Sequence, residues 1–230
     1  MELSKRLQAV ADLTTEGLTV ADIGTDHGYI PIYLIKNNKC SKAFAMDVNK
    51  GPLLRAKEHI EEHGLAGKIE IRQSDGVKAL QPGECESVVV AGMGGALTIR
   101  IMEEGEAVFR SLKEFVLQPQ SELKKVRHYL WENNYCVVAE DMVLEDGKFY
   151  PMMKVVNGSS SNYSMIELCY GKCLLEQRNP ILYEFLVKEK ETKERILHNL
   201  EKESGNHILI RVEEIRKELE WTKEALAVYL

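Results

Sequence analysis

The sequence predicts an α/β domain, a parallel sheet covered by helices on both faces, followed by a purely helical segment. Three observations carry this expectation. Apolar runs of strand length alternate with helix-length amphipathic runs, a glycine-bearing turn follows the first apolar run, and a small polar stretch, Asn157-Gly158-Ser159-Ser160-Ser161-Asn162, ends the alternation. These give expected domains of 1–157 and 163–230.

The chain opens on an amphipathic helix with Leu3, Leu7 and Val10 on one face. Strands are expected at about 18–23, 42–47, 68–73, 87–91 and 114–118. Helices are expected near 28–38, 51–63, 96–111 and 121–134, the alternation of a parallel sheet. Tyr135 to Leu144 and Phe149 to Val156 then read as two strands joined by the turn Glu145-Asp146-Gly147-Lys148. A parallel sheet finished by an antiparallel hairpin is the layout of class I (Rossmann-like) methyltransferases.

Beyond the polar stretch, Pro180 starts one long helical segment, and Gly205-Asn206 separates it from another. Ile208, Val212, Ile215, Leu219, Thr222 and Leu226 alternate four and three apart, a seam for an antiparallel coiled-coil hairpin. Leu182, Phe185, Leu186, Ile196 and Leu200 can face it, although 188–195 is too charged for full burial.

At 230 residues and 44% hydrophobic content, the chain holds one full α/β domain and an appendage. No apolar run is long enough to span a membrane, and Met1-Glu2-Leu3-Ser4-Lys5-Arg6 is no signal peptide, so a cytoplasmic protein is expected. The five cysteines are scattered without metal spacing; Cys169 and Cys173, four apart, read as buried thiols on one helix. Reduced cysteines and no metal follow. A net charge of −6 gives no global basic field, so any nucleic-acid contact must be local. Lys124, Lys125, Arg127 and His128 form one candidate patch and Lys5 with Arg6 another; solvated helix surface explains each as well.

The strongest local signal is Val20-Ala21-Asp22-Ile23-Gly24-Thr25-Asp26-His27-Gly28-Tyr29, followed by Asp47 at the end of the next apolar run. Gly24 and Gly28 let the main chain turn tightly against a bound group, and the next helix offers unpaired N–H donors. Asp47 stands roughly twenty residues past the turn, the offset of an acid that accepts ribose hydroxyls. Asp26 occupies the place of a dinucleotide fold's second glycine, where it would repel a pyrophosphate but tolerate a sulfonium or an ammonium. The pattern therefore favours S-adenosylmethionine over NAD; a turn that only packs helix on sheet is the plainer reading.

Asp75 and Gly76, after the third strand, suit an adenine's exocyclic amine and ring nitrogen; a helix-capping turn would look the same. The fourth strand ends in Ala91-Gly92-Met93-Gly94-Gly95, at the sheet edge where open α/β folds bind ligands. This glycine loop lets a planar base reach backbone groups, with Met93 as a soft wall. It lacks the Asp/Asn-Pro-Pro-aromatic motif of enzymes that methylate adenine's exocyclic amine.

Together with Asp22 to Pro31, Asp47-Val48-Asn49 and Leu117-Gln118-Pro119-Gln120, that loop resembles the bacterial tRNA adenine-N1 methyltransferases acting on adenine 22, the TrmK family. The resemblance spans nearly the whole chain. It implies methyl transfer from S-adenosylmethionine to adenine N1 in tRNA. It matches Asp22, Gly24, Thr25, Asp26, His27 and Gly28 to the first cofactor motif, Asp47 and Val48 to the ribose site, and Asp75 and Gly76 to the adenine site. It sets Ala91, Gly92 and Met93 between cofactor and target base. Asp26 is the expected electrostatic partner of the product cation and Tyr29 the expected stacking partner of the base, making Asp26, Tyr29 and Met93 the catalytic set. A bystander role for Asp26 and Tyr29, a methyltransferase for a small molecule or protein, and a cofactor-binding module without chemistry remain open alternatives. Three heptads suit an intramolecular hairpin, so a monomer is expected.

Overall fold

The computed structural model describes residues 2–159, 162–202 and 206–230, in two compact units, 1–161 and 162–230. Met1, Ser160, Ser161, Glu203, Ser204 and Gly205 lie outside the described residues, so part of the polar stretch and the Gly205 break go with them.

The first unit begins with α1 (Lys5–Leu13), whose first turn Ser4 caps by accepting the Leu7 N–H at 3.3 Å. There follow β1 (Val20–Ile23), α2 (Tyr29–Lys36), β2 (Ala43–Asp47), α3 (Lys50–Glu62), β3 (Ile69–Gln73), β4 (Ser87–Met93), α4 (Gly95–Glu104), α5 (Glu106–Ser111), β5 (Glu114–Pro119), α6 (Leu123–Glu132), β6 (Tyr135–Glu145) and β7 (Lys148–Asn157). The seven strands form one sheet in the order β3-β2-β1-β4-β5-β7-β6, parallel through β5 and antiparallel at β7 and β6. Val20–Ile23, Phe44, Val88–Val90 and Phe115–Leu117 are all buried. Strands covered on both faces read as unbroken apolar runs, which is why the sequence displayed them so plainly.

The chain moves outward from β1 to β3 and then returns to place β4 on the other side of β1. That reversal parts the loops after β1 and β4 and opens a crevice at the carboxyl ends of these strands. At the far edge, Asp146 (φ 49°) and Gly147 (φ 77°) form a two-residue hairpin turn with both residues left-handed, the geometry matched to the twist of the flanking strands.

The expected helix at 96–111 is in fact two. Gly105 ends α4 with its N–H on the Ile101 carbonyl and packs against the Val77 side chain, where any Cβ would collide. Arg127 is also corrected: it is 2% exposed and pairs with the equally buried Glu140 at 2.9 Å, so it belongs to the packing of α6 on β6 and leaves the basic patch. Its neighbours on the solvent face are Lys124, Lys125 and His128; Lys125 pairs with Glu122 and His128 with Glu132.

The second unit holds α7 (Met165–Tyr170), α8 (Lys172–Glu176), α9 (Pro180–Leu200) and α10 (Asn206–Ala227). Gly171, at φ 97°, separates α7 from α8, so Cys169 and Cys173 lie on different helices; the five cysteines form no disulfide in the described structure. Residues 201, 193 and 179 meet 216, 222 and 229, so α9 and α10 run antiparallel. Ile208, Val212, Ile215, Leu219 and Thr222 are buried as their spacing predicts, but Ala225 takes the last buried place while Leu226 is half-exposed. Ile196 faces outward at 37% exposure. Opposite Thr222, α9 turns polar groups inward: the Lys193 ammonium lies 3.1 Å from the Thr222 hydroxyl and 3.2 Å from Glu189, which also accepts from the Tyr170 hydroxyl. A charged stretch is thus accommodated by mutual pairing rather than by exposure.

Candidate active site

The turn between β1 and α2 is built on backbone demands. Gly24 adopts φ 77° and directs its N–H to the Met46 carbonyl at 2.8 Å; Thr25 donates to the same oxygen at 2.9 Å. The Met93 methyl lies directly over Gly24, so a side chain at 24 would meet both a forbidden φ and an occupied space. Gly28, at φ 68°, stands before the first turn of α2. The turn is therefore locked to β2 on one side and touched by the β4 loop on the other.

Around it lies a cleft of about 270 Å³, lined by Arg6, Leu7, Asp22, Gly24, Asp26, Tyr29, Ile30, Ala91, Gly92 and Gln120. Residues expected from three separate motifs thus share one wall. The two acids in it differ in surroundings. Burial pushes the Asp22 carboxyl up to about 6; the nearby Thr25 hydroxyl draws it back and the Asp47 charge raises it further. Although close to Asp22, the Thr25 Oγ1 is buried without bonding geometry to any group. Asp26 is mostly exposed and accepts from the Arg55 guanidinium at 2.9 Å. Nothing in the sequence marked Arg55 beyond its place on an amphipathic helix.

Tyr29 stacks on His27 with ring centroids 5.2 Å apart and planes 8° from parallel, and His59 of α3 tilts against both rings. His27 holds a left-handed φ of 58°, uncommon outside glycine, and its buried Nδ1 has no partner. The aromatic group is preformed beside the cleft, and His59 was not foreseen.

At the end of β2, the Asp47 Oδ1 accepts the Asn49 N–H at 2.6 Å; Asp47 and Val48, the latter 53% exposed, lie outside the residues that line the cleft. Asp75 and Gly76 lie after β3, outside the residues that line the cleft. Lys78 at 2.8 Å and Arg100 at 3.2 Å hold the Asp75 carboxyl below the usual carboxylate range. Gly76, at φ 61°, lies against Ile101.

The β4 loop is bulged between Ala91 and Met93, with Gly92 at φ 80°. Its N–H goes to the Gln118 side-chain oxygen at 3.1 Å, and that oxygen also accepts from the Arg6 guanidinium at 3.0 Å. Gln120 sends its backbone N–H to the Met93 carbonyl at 2.8 Å. Spacing alone assigns no role to Gln118 and Gln120 of Leu117-Gln118-Pro119-Gln120, and marks Arg6 only as part of a surface patch. Among the described residues, no cluster of His, Cys, Asp and Glu has the geometry to hold a metal, and no helix is long and apolar enough to cross a membrane.

A doubly wound sheet with a cleft at its switch point, a tight glycine turn and a carboxylate closing the adjacent strand defines a Rossmann-like methyltransferase domain, and the methyltransferase domain family matches residues 3–153. Over 191 residues the chain is 37% identical to the tRNA (adenine(22)-N(1))-methyltransferase of Bacillus subtilis, covering 83% of this chain and 77% of that one. The crystal structure of the B. subtilis tRNA methyltransferase TrmK superposes with a TM-score of 0.89 at 31% identity, covering 98% of this chain and 99% of that one. A Streptococcus pneumoniae putative tRNA methyltransferase, solved in complex with S-adenosyl-L-methionine, gives 0.88 at 30% identity, covering 98% and 100%. The chain belongs to the tRNA (adenine(22)-N(1))-methyltransferase family.

Proposed function

We propose that this protein transfers the methyl group of S-adenosyl-L-methionine to N1 of adenine 22 in tRNA, giving 1-methyladenosine and S-adenosylhomocysteine. The observation that carries this reading is the coincidence of one cleft, at the β1–β4 switch point, with likeness to tRNA methyltransferases along nearly the whole chain. The residues present fit the methyl donor. A glycine turn allows close approach, the Asp22 and Asp26 carboxylates in the lining suit a cationic ligand, and buried polar atoms of Thr25 and His27 have no protein partner.

When bound, S-adenosylmethionine supplies an electrophilic methyl on its sulfonium. Asp22, Gly24, Thr25, His27 and Gly28 hold its amino-acid and sulfonium end, Asp47 and Val48 its ribose, and Asp75 and Gly76 its adenine. In this role Asp75 keeps Lys78 and Arg100 as partners and offers the donor whatever lone pairs they leave. Ala91, Gly92 and Met93 form the wall between donor and target base.

Adenine N1 carries a free lone pair, so the displacement needs no base to create the nucleophile, and rate comes from orientation. Tyr29, steadied by His27 and His59, stacks on an adenine drawn out of the folded RNA. Asp26, held by Arg55, balances the positive charge that moves onto the purine. We further propose that α9 and α10 form an antiparallel coiled coil that extends the RNA footprint, with Lys124, Lys125, His128 and Lys5 as phosphate contacts, and that the protein works as a cytoplasmic monomer without metal.

The test is mass spectrometry of nucleosides from tRNA incubated with the protein and S-adenosylmethionine. 1-Methyladenosine at a single tRNA position is the expected product. Methylation of metabolites or proteins in place of tRNA overturns the reading.

A further inference from the structure

Among the described residues that line the cleft, Arg6 is the one cation, and the other charged groups are Asp22 and Asp26. It is half-buried, and its guanidinium is fixed from outside the cleft. One edge donates to the Gln118 oxygen at 3.0 Å, and the Tyr150 ring lies 5.6 Å beneath. The Glu145 carboxylate of the hairpin instead accepts the Arg6 backbone N–H, at 3.4 Å. Among the described residues, no carboxylate lies within ion-pairing distance of the guanidinium, and its remaining N–H donors have no protein partner. An anchored, uncompensated arginine in a cleft offers a planar fork to an oxyanion.

We propose that Arg6 receives a backbone phosphate of the RNA strand beside the adenine in the cleft, with Gln118 as its positioning residue. The inference rests on the RNA-methyltransferase reading above and adds the group that holds the strand. Gln118 on β5, Tyr150 on β7 and Glu145 on β6 all lie on the far side of β4 from β2, where Asp47 stands. Arg6 is thus held from the side of the sheet opposite the ribose carboxylate. An adenine cannot enter the cleft without bringing its flanking phosphates to the rim, where Arg55 is already committed to Asp26 and Arg6 is the cation whose donors remain open.

The same geometry links the phosphate to the β4 loop. Gln118 is fully buried, and its oxygen serves Arg6 and the Gly92 N–H together, so drawing the guanidinium toward a ligand acts on the bulged Gly92 backbone. The loop faced by the target base and the residue that grips its strand therefore share one acceptor atom.

The other oxyanion available here is the carboxylate of the methyl donor's amino-acid end, and the experiment separates the two. The full-length protein and its Arg6→Ala and Arg6→Lys variants are titrated by calorimetry with S-adenosylhomocysteine and with 5′-methylthioadenosine, which lacks the amino-acid end. Rates on a tRNA transcript are then measured across tRNA and salt concentrations. For Arg6→Ala we expect both small ligands to bind within about twofold of the wild type. The KM for tRNA should rise about tenfold or more, and the slope of log kcat/KM against log salt should fall by about one. Arg6→Lys, which keeps the charge and loses the fork, should lie between. Loss of S-adenosylhomocysteine affinity with methylthioadenosine binding intact would assign Arg6 to the donor's carboxylate and overturn the proposal. So would an unchanged KM and salt slope. Should Arg6→Ala not fold, Arg6→Gln, which can still donate to Gln118, is read in the same way. A wild type that methylates no RNA fails the earlier reading first, a result distinct from a wild type and variant that methylate alike.

Discussion

Replacing Asp22 by Asn keeps the shape of a buried side chain while removing a charge that the fold does not neutralise. Asp22 is 5% exposed, and burial moves its carboxyl from 3.8 to about 6, helped by Asp47 and opposed by the Thr25 hydroxyl. Because the native pKa is the higher one, the folded protein binds this proton more tightly than the unfolded chain. The stability it confers is fully present below about pH 4 and is lost as pH rises through 6. A shift of about two units corresponds to roughly 3 kcal/mol. We therefore expect Asp22→Asn to be more stable than the wild type by up to about 3 kcal/mol at pH 7.5, with the gain shrinking to near zero by pH 4. Urea denaturation at pH 4, 5, 6 and 7.5 measures this directly. The same variant should bind S-adenosylmethionine more weakly, a stability gained at the expense of a site group. Equal pH slopes for variant and wild type would refute the claim that Asp22 is held ionised against the preference of its surroundings.

Gly24→Ala should destabilise the fold by about 1–3 kcal/mol and weaken cofactor binding, because it sets a Cβ at φ 77° against the Met93 methyl; thermal unfolding and calorimetry read both. Asp47→Ala should weaken S-adenosylhomocysteine binding roughly tenfold or more through lost charge-assisted hydrogen bonds. Tyr29→Ala should spare that affinity and lower kcat on tRNA, and the reverse pattern in calorimetry and rate assays would exchange the two roles. Arg127→Ala should cost about 3–5 kcal/mol in denaturation by removing the guanidinium that pairs with the buried Glu140 carboxylate. Lys124→Glu with Lys125→Glu should leave stability nearly unchanged and weaken tRNA binding in a salt-dependent manner.

Much of the fold was legible because local pattern and global burial agreed. β1, β2, β4 and β5 are covered on both faces and so spelled out apolar runs, while Asp146-Gly147 carried the signature of its own turn. The break at Gly105 and the loss of Arg127 from the surface patch were not legible, because each depends on a neighbour distant in sequence, Val77 in one case and Glu140 in the other. In the last two helices the sequence correctly predicted the seam from Ile208 to Thr222, but the inward turn of Lys193 and Glu189 depended on Thr222 and Tyr170 meeting them.

By itself, the sequence determined the alternating sheet, the glycine turn and the carboxylates that end its strands, since these rest on backbone conformation and on residue spacing along one chain. Only the tertiary structure decided which side chains converge on the cleft. Arg6 in the lining, and Arg55, His59 and Gln118 behind the residues that line it, come from three separate elements, α1, α3 and β5, and their meeting is set by packing around the sheet's switch point. Spacing in sequence carries no record of such a meeting, because contacts between remote segments are fixed by burial and not by periodicity.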